Sequence, residues 1–110
     1  MGHSIKPRIM YIECKGDELT GPARIGRVTF NRTGKTLFYG DKSFSKYEGF
    51  KSNYICVETG EAYWISGPKK RGGDALYATN IPTKIDDDVR VEYWTVIRNQ
   101  PDKVKETETL

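Results

Sequence analysis

The chain has 110 residues and a net charge of +3, with 36% hydrophobic and 30% charged residues. This balance is typical of one globular domain with a single core. The longest apolar runs are only a few residues, far short of the ~20 needed to cross a bilayer, and no charged-then-apolar signal segment opens the chain. The composition argues against a membrane protein and against a second domain, and we expect a cytoplasmic location.

The first predicted element is a short apolar strand that starts near Arg8 and ends at Cys14. Residues 1–8 precede it without periodicity, and we interpret them as a disordered lead-in, with Met10 as an alternative natural start. The only histidine, His3, lies in this lead-in. A histidine-based metal site or acid–base relay is therefore not expected.

Two hairpins follow in chain order. Residues 24–39 place apolar residues on both sides of a turn at 31–35 that contains Gly34. Residues 53–58 and 61–66 flank the short turn Thr59-Gly60. Between the hairpins, 41–52 has aromatic residues at three-residue spacing, which fits either a strand with an irregular turn or one helical turn.

The last predicted element is a helix at about 87–98, opened by Asp86, Asp87 and Asp88. One aspartate is expected to cap the first N–H groups, and the others favour the positive end of the helix dipole. A cation site built from these carboxylates is the less economical alternative. Asn99-Gln100-Pro101 ends the helix, and 101–110 is expected to be a flexible tail.

The predicted fold class is mainly β (α+β). We expect a small antiparallel barrel or half-barrel of five to six short strands, an SH3-like roll, with one C-terminal helix over an open end or edge. The single β-rich domain would span 9–100. Cys14 and Cys56 lack the density of disulfide-stapled secreted domains, so we expect reduced thiols, with a disulfide as the alternative.

Several segments resemble a family of bacterial proteins of roughly 100 residues. They are Tyr11-Ile12-Glu13-Cys14-Lys15-Gly16-Asp17, residues 21–30, Thr33-Gly34-Lys35-Thr36, residues 58–61 with 63–68, and Glu92-Tyr93-Trp94. The resemblance covers about Met10 to Pro101. Members carry the label 1-deoxy-D-xylulose-5-phosphate synthase, but the resemblance brings only that name and no functional residues.

The residues themselves argue against that activity. A thiamine-diphosphate enzyme of this kind needs several hundred residues, and a Gly-Asp-Gly motif followed about 25–30 residues later by Asn to hold Mg²⁺ and diphosphate. Here Gly16-Asp17 is followed by Glu18, with no suitably spaced Asn. Neither a phosphate-binding glycine motif nor a base beside Cys14 or Cys56 is present. We expect no catalytic residues, no metal and no cofactor, although a small enzyme with an unrecognised site is an alternative.

The best candidate binding segment is the loop that follows Trp64, where Lys69, Lys70 and Arg71 lie between Pro68 and Gly72-Gly73. Residues 1–85 hold 14 Lys or Arg against 8 Asp or Glu, whereas residues 86–110 hold 4 against 7. A basic body could attract a polyanion, and a solvated surface of mixed charge would give the same counts. The candidate contact residues are Lys69, Lys70, Arg71, Trp64, Tyr77, Arg24, Arg27 and Arg32.

Two classes of partner fit this basic loop. The first is an acidic protein, which the cations would attract electrostatically. The second is single-stranded nucleic acid such as RNA, with Trp64 and Tyr77 stacking on bases, although both aromatic residues could equally belong to the core. Homodimerisation through a hairpin edge is a third alternative. The favoured function is a non-catalytic protein-interaction module.

Overall fold

The computed structural model describes residues 6–15, 23–49, 51–69 and 82–109. Within these ranges the chain forms eight strands, which are β1 (Arg8–Cys14), β2 (Ala23–Phe30), β3 (Thr36–Tyr39), β4 (Lys42–Gly49), β5 (Ser52–Cys56), β6 (Ala62–Ser66), β7 (Thr83–Ile85) and β8 (Glu108–Thr109). The expected mainly β fold is confirmed. Among the described residues, none of the helical segments combines the length and the apolar character that crossing a bilayer requires.

Six strands close into a ring. The order around it is β1-β6-β5-β4-β3-β2, and β2 pairs back onto β1. Every pairing within the ring is antiparallel. The pairing of β2 with β3 covers only two residues of β2, while the first half of β2 pairs with β7 in parallel. The ring therefore has a split beside β2, where β3 and β7 diverge.

The turns explain why these residues reverse. In the β2–β3 hairpin the Asn31 side chain accepts a hydrogen bond from the Thr36 backbone N–H at 3.1 Å, and Gly34 adopts a φ of 76° that few other residues tolerate. The segment 41–52, for which strand and helical turn were alternatives, contains β4 with a register shift between Lys46 and Gly49.

Strand β1 is buried on both faces, since alternate side chains point to opposite sides of the ring. One side contributes Met10 and Ile12 to the interior cluster, defined by Met10, Ile12, Val28, Leu37, Phe44, Tyr54, Cys56 and Ile65. The other side contributes Ile9 and Tyr11 to the helix-covered cluster, defined by Ile9, Tyr11, Ile25, Ile85, Val89, Tyr93 and Trp94. One strand thus joins two hydrophobic cores.

The C-terminal helix, α1, spans 87–97 as 11 residues of changing geometry. A 3₁₀ turn (Asp87–Val89) leads into one α-helical turn (Arg90–Glu92) and then a π-helical segment (Tyr93–Ile97), which ends with the Arg98 N–H bonded to the Tyr93 carbonyl at 2.9 Å. The wider π-helical turn places the neighbours Tyr93 and Trp94 both in the core, at 0% and 3% exposure. In a regular α-helix, neighbouring residues project roughly 100° apart, so one residue of such a pair is expected to be less buried, and here both are buried.

The role expected of the aspartates at the helix start needs correction. Asp86 occupies the N-cap position but makes no side-chain capping bond. Its carboxylate is instead bonded to Arg24 and Tyr39. Asp87 and Asp88 lie in the first turn, where carboxylates complement the helix dipole.

The segment after the helix packs against the domain, where the sequence predicts a flexible tail. Pro101–Lys103 forms a 3₁₀ turn, and β8 pairs with β7. The Trp94 indole N–H donates to the Glu106 carbonyl at 2.9 Å, and Arg90 Nε donates to the Val104 carbonyl at 2.8 Å. The buried Trp94 and the partly buried Arg90 of the helix therefore provide bonds that hold this polar segment.

Gly26 provides a close approach that fixes β3 and Asp86 against β2. A Cβ placed on Gly26 would lie 2.6 Å from Asp86 Oδ2 and would also collide with the ring of Tyr39. Any side chain at position 26 must therefore displace the tyrosine, the carboxylate or both.

We expect Gly26→Ala to lower the free energy of unfolding by about 1–3 kcal/mol, because the added methyl group overpacks this contact. Urea denaturation followed by tryptophan fluorescence measures the change. Gly67→Ala is the matched control: its nearest neighbour would be 3.8 Å away, so its effect should stay within about 0.5 kcal/mol. Equal stability of the two variants would contradict the close packing of Tyr39 and Asp86 against Gly26.

Candidate functional site: a basic end and an opposite cavity

The antiparallel ring sorts charged residues by strand end. The starts of β1, β3 and β5 lie at the same end of the ring as the ends of β2, β4 and β6, because neighbouring strands run in opposite directions. This basic end is defined by Lys6, Arg8, Arg32, Lys35, Lys46, Lys51 and Lys69. Among the described residues of the ring strands and their turns, Glu48 is the only acidic residue at this end.

The opposite end of the ring has a different balance. Its acidic residues are Glu13, Asp41, Glu58 and Glu61, and its basic residues are Lys15, Arg24 and Lys42. Asp86, at the start of the helix, adds another carboxylate beside Arg24. The positive charge of the body is therefore concentrated at one end of the ring instead of being spread over its surface.

The structure separates the candidate contact residues from one another. Arg32 and Lys69 are exposed at the basic end, and Lys69 begins the basic loop. Arg24 lies near the start of β2, roughly 20 Å along the strand from the Arg32 turn at about 3.3 Å per residue. The remaining loop candidates, Lys70, Arg71 and Tyr77, lie outside the described residues.

Well-defined contacts position the strand that leads into the basic loop. The Asn53 side-chain amide donates to the Ile65 carbonyl at 2.7 Å and accepts from the Ile65 N–H at 2.8 Å, which joins β5 to β6 where backbone pairing has ended. Arg8 Nη2 lies 3.8 Å from the position that a Cβ on Gly67 would take. The start of the loop and the start of β1 are thus neighbours, so their cations share one surface.

Trp64 does not belong to this surface. It is half-buried and packs against the helix-covered cluster, on the opposite side of β6 from Tyr63 and Ile65. Its partner across the strands is the buried Glu13. These contacts favour the interpretation of Trp64 as a packing residue over that of a stacking platform.

Arg24 and Arg27 are both engaged by acidic residues near the helix start. Arg24 Nε donates to Asp86 Oδ1 at 2.6 Å, and Arg27 Nη2 donates to Glu92 Oε1 at 3.1 Å with Asp88 at 3.9 Å. The hydrogen bond to Asp86 raises the pKa of Arg24. These two cations compensate nearby carboxylates, so they add less to an anion-binding surface than the sequence count indicates.

A cavity of about 500 Å³ opens at the opposite end of the ring, beside the split between β2 and β3. Its lining combines apolar residues of the interior with charged residues of the rim, namely Ile12, Arg24, Arg27, Tyr39, Gly40, Asp41, Lys42, Phe44, Tyr63, Asp86 and Asp88. Volumes of this size are typical of small-ligand sites.

A hydrogen-bonded group of three side chains forms one wall of the cavity. The Tyr39 hydroxyl donates to Asp86 Oδ2, while the other carboxylate oxygen accepts from Arg24. Burial and the hydrogen bond to Asp86 raise the pKa of Tyr39. The hydroxyl therefore stays protonated at neutral pH and keeps β3 tied to the start of the helix.

The two thiols lie on either side of Tyr63, and both are free cysteines, as the sequence predicts. The Cys14 thiol donates to Glu61 at 3.6 Å, and the Cys56 thiol donates to Glu58 at 3.6 Å. Activated cysteines lie beside cationic groups, whereas the partners of the two thiols in these bonds are carboxylates. Burial, followed by the hydrogen bond with Cys14, raises the pKa of Tyr63. This environment is unlike that of an activated nucleophile.

Sequence reasoning missed a buried polar group on the outer face of β1. Lys15 Nζ lies 2.7 Å from Glu13 Oε2, and the Tyr11 hydroxyl donates to Glu13 Oε1 at 2.6 Å. Glu13 and Lys15 are only 2% and 4% exposed. The spacing of these three residues at every second position is the signal that could have identified the group, since it places them on one face of a strand.

Within the described ranges, no three His, Cys, Asp or Glu side chains are grouped so as to hold a metal ion. In the same ranges, every buried side-chain nitrogen and oxygen has a hydrogen-bond partner. The buried polar side-chain atoms of these ranges are thus accounted for by hydrogen bonds.

The two aspartates Asp86 and Asp88 provide a matched pair for testing the cavity wall. Asp86→Ala removes two hydrogen bonds to a carboxylate that is only 19% exposed, so we expect a loss of about 2 kcal/mol in the free energy of unfolding. Asp88→Ala removes an exposed, 3.9 Å ion pair and should cost about 0.5 kcal/mol or less. Chemical denaturation measures both, and equal losses would show that the Tyr39–Asp86–Arg24 contacts do not stabilise the fold.

Glu58 offers a test of local electrostatics. Its carboxylate accepts from the Ser43 hydroxyl at 2.6 Å and from the Ser43 N–H at 2.9 Å, and these bonds lower the pKa of Glu58 to about 2. Since the folded-state pKa lies below the ordinary value, the resulting stabilisation is complete above that ordinary value and is lost as the pH falls through about 2.

We expect Ser43→Ala to raise the pKa of Glu58 towards its ordinary value, because the hydroxyl donor is the largest cause of the lowering. NMR titration of the Glu58 side-chain carboxyl carbon measures it. Ser45→Ala, on the same strand and opposite Ile55, should leave the titration unchanged. An unaltered Glu58 pKa in Ser43→Ala would contradict the assigned cause.

Comparison with known proteins gives no match: no family model, no curated protein and no solved structure matches the chain.

Proposed function

We propose that the protein is a non-catalytic protein-interaction module that binds an acidic surface of its partner through the basic end. The observation that carries the proposal is the balance of charge at that end, where the described residues of the ring strands and their flanking segments include seven cations and one acidic residue, Glu48. A compact field of one sign accelerates encounter with an oppositely charged surface and selects against partners of like charge. In the sequence, Lys69 is followed directly by Lys70 and Arg71.

An acidic protein fits the basic end better than a single-stranded nucleic acid does. Binding of single strands combines cations with a row of exposed aromatic rings on which successive bases stack. Among the described residues of the ring, the strongly exposed aromatic residues are Phe38, at 40%, and Tyr47, at 47%. The register of β3 and β4 places these two about four residues apart along the strands, which is not a continuous row of rings. Trp64 packs against the helix-covered cluster instead. Electrostatic attraction without a stacking platform supports recognition of acidic side chains.

The proposal also includes a fold class and a cellular location. We take the ring to be a small antiparallel barrel of the SH3-like kind, acting in the cytoplasm of a bacterium and related to the small proteins that the sequence resembles. The thiols beside carboxylates and the buried, hydrogen-bonded polar groups support a role without catalysis. Homodimerisation would be compatible with this role.

The test compares two charge-neutralised variants with a matched control. One variant changes Arg8, Arg32 and Lys51 to Ala, and the other changes Lys69, Lys70 and Arg71 to Ala. The control changes Lys84, Lys103 and Lys105, which lie outside the basic end, and alters the net charge by the same amount. All three should keep the wild-type melting temperature within a few degrees, because the substituted side chains that the structure describes are largely solvent-exposed.

The probes are a fluorescein-labelled peptide rich in Asp and Glu and a single-stranded RNA with the same number of charges, each followed by fluorescence anisotropy at low and near-physiological salt. We expect the acidic peptide to bind with steep salt dependence, and each basic-end variant to weaken it roughly ten-fold while the control changes little. Tighter binding of RNA that persists at physiological salt would assign the basic end to nucleic acid. Absence of binding to both probes at low salt, or equal loss in the control, would overturn the proposal.

A further inference from the structure

The cavity at the opposite end of the ring has an apolar, aromatic floor. Ile12 and Phe44 are buried at 4% and 0% exposure, and Tyr63 is half-buried beside them. The rings of Phe44 and Tyr63 meet edge to face, with centroids 4.7 Å apart and an interplanar angle of 67°. Such a floor accepts the body of an apolar or aromatic group, since it offers both ring faces and aliphatic surface.

Three cations line the rim of this cavity, and one of them, Arg27, is paired with Glu92 and Asp88. The other two are Arg24 and Lys42. Arg24, on β2, has a side chain that is 49% exposed and uses Nε for its bond to Asp86. That bond does not involve the two Nη groups, which carry the remaining four of the five guanidinium N–H donors. Lys42, at the start of β4, is 43% exposed on the other side of the split. The rim thus offers N–H donors from both sides of the cavity.

The rim carboxylates are less suited to bind a ligand. The two oxygens of Asp86 accept from Arg24 and Tyr39. Asp88 is 66% exposed and lies near Arg27, and the Asp41 side chain is 95% exposed to water. Internal bonds engage both oxygens of Asp86, and Arg24 keeps N–H donors beyond those that Asp86 and the neighbouring Tyr39 hydroxyl use.

We propose that this cavity binds a small amphipathic carboxylate, with its apolar or aromatic body on the Ile12–Phe44–Tyr63 floor and its carboxylate at Arg24 and Lys42. Guanidinium and carboxylate groups form paired, charge-assisted hydrogen bonds when both Nη and carboxylate oxygens are accessible. The cavity volume of about 500 Å³ is sufficient for such a molecule. The site is separate from the basic end and does not depend on the function proposed for that end.

The test uses 3-phenylpropionate as the probe, with 3-phenylpropionamide and 3-phenylpropylamine as its neutral and cationic counterparts. Titration followed by two-dimensional ¹H–¹⁵N NMR reports both affinity and location. We expect saturable shifts at the amides of Ile12, Phe44 and Tyr63, and roughly ten-fold weaker binding of the amide, because it lacks the charge that pairs with Arg24. The amine should bind still more weakly.

Three variants test which residues bind the carboxylate of 3-phenylpropionate. Arg24→Gln and Lys42→Met should each weaken 3-phenylpropionate binding, Arg24→Gln by roughly ten-fold, whereas Arg32→Gln at the basic end should have no effect. Lys42→Met keeps the test decisive if loss of the Arg24–Asp86 bond disturbs the fold, because Lys42 has only a 3.9 Å contact with the exposed Asp41. No saturable shifts, equal affinity for the amine, or an equal loss in Arg32→Gln would overturn the proposal.

Discussion

Closure of the ring at β1 is the constraint on which the rest of the structure depends. β1 is hydrogen-bonded to β2 on one edge and to β6 on the other, and five of its seven residues are buried. Its two faces serve different cores, the interior cluster and the helix-covered cluster. Glu13 of β1 is buried as well, and it forms an ion pair at 2.7 Å with the buried Lys15 just after the strand, with the Tyr11 hydroxyl as a further donor. A buried pair of this kind costs desolvation that only good geometry repays, so it ties β1 to one arrangement.

Ring closure has an electrostatic consequence. In a ring of antiparallel strands, every turn is assigned to one of two ends, and residues distant in sequence share an end because of strand direction alone. Lys6, Arg32, Lys51 and Lys69 come together in this way from four separate segments. The basic surface that supports the proposed interaction is thus a property of the topology, not of any single motif.

The split beside β2 creates the cavity at the opposite end of the ring. β2 pairs with β3 near its end and with β7 near its start, so its partner on that edge changes along its length. Gly26 lies at this point, and the absence of a side chain lets Tyr39 and Asp86 pack onto the strand. The same divergence leaves the cavity between Arg24 on one side and Lys42 on the other. The cavity wall and the contact that anchors the helix start are therefore one structural unit.

The sequence by itself determined the mainly β class, the first strand, both hairpins and the position of the helix, because alternation, turn residues and helical spacing are local patterns. It also predicted the free thiols. It could not assign Arg24 and Arg27 to acidic partners 62 and 65 residues away, nor the pairing of β8 with β7 in a segment whose composition is polar. Only the tertiary structure decided these features, because which charges become neighbours depends on strand order, register and ring closure, and these arise from contacts between residues far apart in the chain.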